Sequence, residues 1–164
     1  MTSSTAPLAR ATRSSPPVSR AIPTHPSSRS WPMTSEAWSR LVDDVAALRR
    51  DVAVAAGDPV EPGVVHVPAF QAARRLVTLE AVLAEARVTD DPGPAIIGRR
   101  VTLVEDDGAR LSYALVFPGD GDPLLGWLSV ESPLGAAVVG ARAGDVVAVE
   151  APVGRRHVTV LAVE

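Results

Sequence analysis

The chain of 164 residues contains no cysteine, no lysine and no asparagine. Without cysteine there is no disulfide framework, no thiolate nucleophile and no cysteine-bound metal. Aromatic side chains make up 4% of the residues, too few for the stacking platforms that hold single-stranded nucleic acid. No stretch approaches the uninterrupted apolar run of a membrane span. The formal net charge of −3 argues against affinity built on neutralising phosphates. Also missing are a glycine-rich phosphate loop, a nucleophile elbow and a histidine–carboxylate arrangement. The exclusive use of arginine reads as a coding bias and carries no mechanism. A chain of this length has room for one domain plus an appendage rather than two full cores.

Acids are absent from the first 35 residues, which carry Arg10, Arg13, Arg20 and Arg29 among runs such as Ser14-Ser15-Pro16-Pro17. Such a segment cannot bury enough apolar surface to offset its ordering entropy and reads as disordered. Two accounts fit residues 1–32: an organellar transit peptide, or a mis-assigned extension with translation starting at Met33. The second is preferred, and neither version contains the apolar core of a secretory signal.

From Trp38 the pattern becomes helical. Trp38, Leu41, Val45, Leu48, Val52 and Ala55 recur at spacings of three and four, with Ser35 as the expected N-cap and Gly57 as the stop. A second seam runs through Ala69, Ala72, Leu76, Leu79, Leu83 and Ala86, opened by Pro68 in its first turn. Two seamed helices joined by a turn-rich segment predict an antiparallel helical hairpin over residues 33–88. Thr89 to Pro94 (TDDPGP) is a linker.

Beyond it the period drops to two. Val101–Val104, Leu111–Phe117, Trp127–Val130, Val146–Val149 and Val158–Val163 read as strands, with Asp107-Gly108 as a hairpin turn and Gly144-Asp145 as another. Ser132 caps a short helix that has Pro133 at its first position and Gly140 as its stop. Residues 95–164 therefore form an α+β domain, a mostly antiparallel sheet with one short helix.

The run Leu128, Ser129, Val130, Ser132, Pro133, Gly140, Gly144, Asp145, Val147, Pro152 and Gly154 resembles the C-terminal domain of the Gre transcript-elongation factors and of their relative Rnk. Leu115-Val116-Phe117-Pro118 and Pro133-Leu134-Gly135-Ala136-Ala137 are the more Rnk-like stretches. Most of these residues serve turns and helix starts and identify a fold rather than a chemistry. The resemblance implies a helical hairpin followed by an FKBP-like globular domain. It further implies a cytoplasmic, monomeric accessory factor that docks on bacterial RNA polymerase and inserts its hairpin into the secondary channel. No sequence-specific nucleic-acid contact, no membrane contact and no cofactor of its own are implied.

Cleavage-stimulating Gre factors carry an acidic tip, Gly-Asp-x-x-Glu followed by Asn-Ala-Glu-Tyr. Gly57-Asp58-Pro59-Val60-Glu61 matches the first part and Pro62-Gly63-Val64-Val65 does not match the second. By this resemblance Asp58 and Glu61 are the candidate catalytic pair, helping to hold a magnesium ion shared with the polymerase active site. The other reading is a pair of solvated turn residues. A first helix of about 22 residues is roughly 33 Å long, several turns shorter than in the cleavage factors. Binding without cleavage is therefore the favoured mode. Candidate docking residues are Arg99, Arg100, Trp127, Ser132 and Pro133. Two alternatives of other classes stay open: an FKBP-like peptidyl-prolyl isomerase, for which Tyr113, Phe117 and Trp127 offer few pocket aromatics, and a coiled-coil adaptor without polymerase binding.

Overall fold

The computed structural model of the protein describes residues 30–57, 67–151 and 154–164. Strand β1 (Trp31–Met33) leads into helix α1 (Ser35–Gly57); helix α2 (Val67–Ala84) returns antiparallel to it and leads into β2 (Ala86–Val88). Then come β3 (Arg100–Glu105), β4 (Arg110–Val116), a 3-10 turn (Pro123–Leu125), β5 (Trp127–Ser129), α3 (Pro133–Val138), β6 (Val146–Ala151) and β7 (Gly154–Val163). The expected hairpin followed by a sheet domain with one short helix is thus what the chain builds.

Its first turn differs from expectation in an instructive way. Thr34, not Ser35, caps α1: its Oγ1 accepts from the Ala37 N–H at 3.1 Å, while the Ser35 hydroxyl donates to Asp90 at 3.0 Å. The seam facing the core begins at Ala37, 1% exposed, and Trp38 lies outside it at 40%. The reason is close approach, since a Cβ at Gly98 would come within 2.9 Å of the Ala37 methyl. Only a small side chain fits where α1 passes the Gly98 backbone. Further along, Leu41 and Val45 are buried against Leu79 and Val82 of α2 in the shared cluster. Arg49 bridges to Glu80 across the hairpin at 2.8 Å, an exposed pair of little energetic weight.

The second helix ends earlier than its seam suggests. Ala86 is not its last turn but the first residue of β2, which pairs in parallel with β1 in the register Trp31↔Ala86 and Met33↔Val88. The Trp31 N–H donates to the Glu85 carbonyl at 2.9 Å, and the Thr89 N–H to the Met33 carbonyl at 3.0 Å. These bonds take over the backbone groups that continued helix would have satisfied. Trp31 and Pro32 accordingly belong to the fold, two residues ahead of the expected boundary at 33.

The five-stranded sheet has the order β5-β4-β3-β7-β6. Three of its four pairings are antiparallel, but β4 and β5 run parallel, so the sheet is mixed rather than antiparallel throughout. The cause is the connection from Phe117 to Gly126. It folds back on itself through paired backbone bonds between Asp122 and Trp127 (3.0 and 2.8 Å) and so returns the chain alongside Ala114. At three residues β5 is too short to present much of an open edge. α3 packs on the apolar face through Leu134 and Val138. One buried cluster runs without a break from Met33, Ala37 and Leu41 through Ile97, Val101 and Leu103 to Leu128, Val149 and Val160.

The linker is also fastened. Asp91 accepts from the Gly93 N–H at 3.0 Å and from Arg142 at 2.7 Å. That backbone hydrogen bond first, and the guanidinium second, hold its carboxyl below the usual value. No helix among the described residues is long and apolar enough to cross a membrane.

Leu41 is fully buried, so Leu41→Ala is expected to lower unfolding free energy by about 2–5 kcal/mol. Val54→Ala, at a site 68% exposed, is expected to stay within about 0.5 kcal/mol. Urea unfolding followed by circular dichroism measures both.

Candidate functional site

Ser132 and Pro133 begin α3 as expected, but the hydroxyl is fully committed. Ser132 Oγ accepts from the Gly135 N–H at 3.0 Å and donates to the Ser129 carbonyl at 2.7 Å. Its own N–H donates to that same carbonyl at 3.0 Å. Gly135 is required at this point because a Cβ there would collide with the Ser129 carbonyl oxygen. The Ser-Pro-x-Gly sequence therefore welds the end of β5 to α3, and Ser132 acts on the shape of the site rather than as a free docking group.

What it shapes is a shallow cavity of about 250 Å³, lined among others by Tyr113, Trp127, Leu128, Pro133, Leu134 and Arg156. The structure thus brings Trp127, Ser132 and Pro133 together. Beside them the 3-10 turn carries two leucines outward, Leu124 at 97% exposure and Leu125 at 59%, with Trp127 at 43%. The turn is braced, since Asp122 Oδ1 accepts from the Leu124 N–H at 3.0 Å and Gly126 closes it with φ of 70°. A protein places apolar side chains in water on a fixed turn at a cost, and such a patch is the usual signature of an interaction surface. In sequence this segment falls between the expected strands Leu111–Phe117 and Trp127–Val130. Two adjacent leucines directly after an Asp-Pro turn were the signal available.

Arg100 pairs with Ala114, and Ala114 with Trp127, so the three stand in one row across β3, β4 and β5. Two strand spacings put Arg100 about 10 Å from Trp127. Arg99 is half-buried and donates to the Pro94 carbonyl at 3.2 Å, which gives it a share in holding the linker. Arg156, on the cavity wall, bridges to Glu105 at 2.8 Å.

The remaining candidates, Asp58 and Glu61, lie outside the described residues. In sequence the pair falls between α1 (Ser35–Gly57) and α2 (Val67–Ala84). Among the described residues no cluster of three or more metal-ligating side chains occurs.

Ser132→Ala is expected to cost about 1 kcal/mol, the usual loss for an N-cap hydroxyl. Pro133→Ala, at an exposed position, is expected to change stability by no more than about 0.5 kcal/mol. Equal losses at both, read by urea unfolding, would contradict the assignment of Ser132 as the structural member of the pair.

Residues 91–164 match the family model described as transcription elongation factor, GreA/GreB, C-terminal. Transcription elongation factor GreA of Sphingopyxis alaskensis is 30% identical over 149 residues, covering 81% of this chain and 94% of that protein. GreA of Thermoanaerobacter pseudethanolicus is 36% identical over 85 residues, 49% of this chain and 54% of that one. GreA of Chloroflexus aurantiacus is 37% identical over 94 residues, 54% and 60% of the respective chains. The chain thus spans between 54% and 60% of the length of these last two relatives. The solved structure of GreA factor homolog 1 (Gfh1) of Thermus thermophilus is 27% identical, covering 83% of this chain and 99% of that one with a TM-score of 0.39. The chain belongs to the GreA/GreB family of transcription elongation factors, which are accessory proteins rather than enzymes.

Proposed function

We propose that this protein binds bacterial RNA polymerase and regulates elongation by inserting its helical hairpin into the secondary channel. The globular domain supplies the docking affinity and the hairpin is the effector arm. The observation that supports this reading is that a two-helix arm shares a continuous buried core with a domain that exposes Leu124, Leu125 and Trp127 together. In such an interface Trp127 is the anchor, Leu124 and Leu125 widen the apolar contact, and Arg100 meets acidic groups at the rim.

The arm acts by occupancy. α1 has 23 residues, about 35 Å of helix, and an arm that stops even slightly short of the reacting phosphate contributes little to hydrolysis. Asp58 and Glu61, between α1 and α2 in sequence, would share a magnesium ion of the polymerase only where the arm reaches it. The sheet domain offers less support for proline isomerisation: Tyr113 and Trp127 line the cavity, while Phe117 is absent from its lining.

Two measurements test the reading. With purified backtracked elongation complexes, the protein is expected to slow RNA synthesis without releasing cleaved RNA, and Asp58→Ala/Glu61→Ala is expected to behave the same. Cleavage by the natural protein that the double variant loses would assign the pair to metal positioning instead. In a binding titration with core polymerase, Trp127→Ala/Leu124→Ser is expected to weaken affinity at least about tenfold, as loss of a central hot spot does. Undiminished binding of that folded variant would place the docking surface elsewhere, and no binding by the natural protein would end the proposal.

A further inference from the structure

We infer that Arg75 is a positioning residue, whose clamp on the Pro118–Asp120 loop sets the direction in which the hairpin leaves the globular domain. The consequence for the effector arm rests on the function proposed above; the geometric claim does not.

Arg75 stands on α2, nine residues before the helix ends at Ala84, which is on the order of 14 Å up the hairpin from its base. Its Nη1 donates to the Pro118 carbonyl at 2.6 Å, and its Nη2 pairs with the Asp120 carboxylate. The receiving loop is built for this contact. Phe117 and Pro118 are buried, and the Asp120 N–H donates to the Phe117 carbonyl at 3.1 Å, closing a tight turn. Gly119 at its centre has φ of +84°, and a Cβ there would lie 2.9 Å from Arg75 Nη1. A side chain at 119 would be strained in that conformation and would crowd the guanidinium. An incidental surface ion pair needs none of this. Two acceptors presented to one planar fork, with the backbone between them bare, require arginine specifically.

Elsewhere the polar ties between hairpin and globular domain gather at the base. They are the Thr34 N–H to the Ile97 carbonyl (3.1 Å), the Ile97 N–H to the Pro32 carbonyl (3.1 Å), and Ser35 to Asp90 (3.0 Å). Among the described residues, Arg75 alone makes hydrogen bonds from higher on the hairpin to the sheet domain. An arm held only at its base is free to tilt about it. A tilt of ~10° over ~35 Å of helix moves the tip by about 6 Å, enough to decide whether the arm meets a reacting centre. Arg75 is the second point of attachment that removes this freedom.

Because the protein has no cysteine, a distance can be measured directly with two introduced labels. Val54→Cys on the outer part of α1 and Ala109→Cys in the β3–β4 turn are both exposed and take spin labels for pulsed electron–electron resonance on the full chain. With Arg75 present a single narrow distance distribution is expected. Arg75→Ala is expected to broaden it or shift it by about 5 Å or more, and Arg75→Lys to give an intermediate width. Arg75→Asp is expected to broaden it and the added Asp120→Arg to narrow it again, a rescue that a merely lost packing contact would not show. Circular dichroism and the thermal midpoint confirm that each variant is folded; should Arg75→Ala not fold, Arg75→Lys and Asp120→Asn carry the test. Superimposable distributions for folded variants and the natural side chain overturn the inference. On polymerase, Arg75→Ala is expected to keep its half-saturating concentration while losing at least half of the maximal effect on elongation. If the natural protein leaves elongation unchanged, the function proposed above fails, and the distance measurement still decides the role of Arg75.

Discussion

The structure depends on one small piece of backbone pairing at Trp31–Thr34. This segment pairs with β2 on one side and with Ile97 on the other, so both ends of the hairpin and the first residues of the sheet domain are tied to the same strand. Met33, at 0% exposure, sits at the centre of that junction and opens the buried cluster that continues into the sheet. A two-stranded ribbon of three residues has little stability of its own. It persists because β1 is hydrogen-bonded on both sides, to β2 and to Ile97, and because Met33 is buried beneath it.

That junction explains which parts of the fold were legible in the sequence. Local signals survived where local chemistry decides the structure: Ser132-Pro133 opens α3 and Asp107-Gly108 turns β3 into β4. Signals failed where a distant segment decides. Periodicity put Trp38 in the seam because it is large and apolar, but the near passage of Gly98 reserves that place for Ala37. The apolar Ala86 continued a helical pattern that β1 interrupts. Nothing local announces that β5 will run parallel to β4, because the reversal lies in backbone bonds between Asp122 and Trp127.

The site divides in the same manner. Trp127, Ser132 and Pro133 were legible as a group because they flank one cap, yet their roles part company, with Ser132 spent internally and Trp127 turned outward. Arg99 and Arg100 look alike in sequence and end in different work, one on the Pro94 carbonyl and one in a row with Trp127. The contact between Arg75 and Asp120 spans 45 positions and has no local signature. Arg75 is half of an Arg-Arg pair on a helix, a pattern that more often marks a solvated face.

Energy and geometry are assigned to different interactions in this protein. The continuous apolar cluster supplies the stability, since burying one large aliphatic side chain is worth about 1.5–3 kcal/mol. The Arg75–Asp120 pair, with side chains 26% and 34% exposed, is screened by solvent and belongs to a class worth on the order of 1 kcal/mol at most. Against a total stability of about 5–15 kcal/mol such a pair decides nothing about folding. Orientation is a different matter. Hairpin tilts that leave the core intact differ by little energy, and a bias of about 1 kcal/mol between them is already a factor of about 5 in population. A weak contact placed far from a pivot therefore governs direction, while the strong contacts near the pivot govern existence. If the arm is the effector, as proposed above, its effect lies where it points, so the residue that aims it bears on function more than its share of the folding energy suggests.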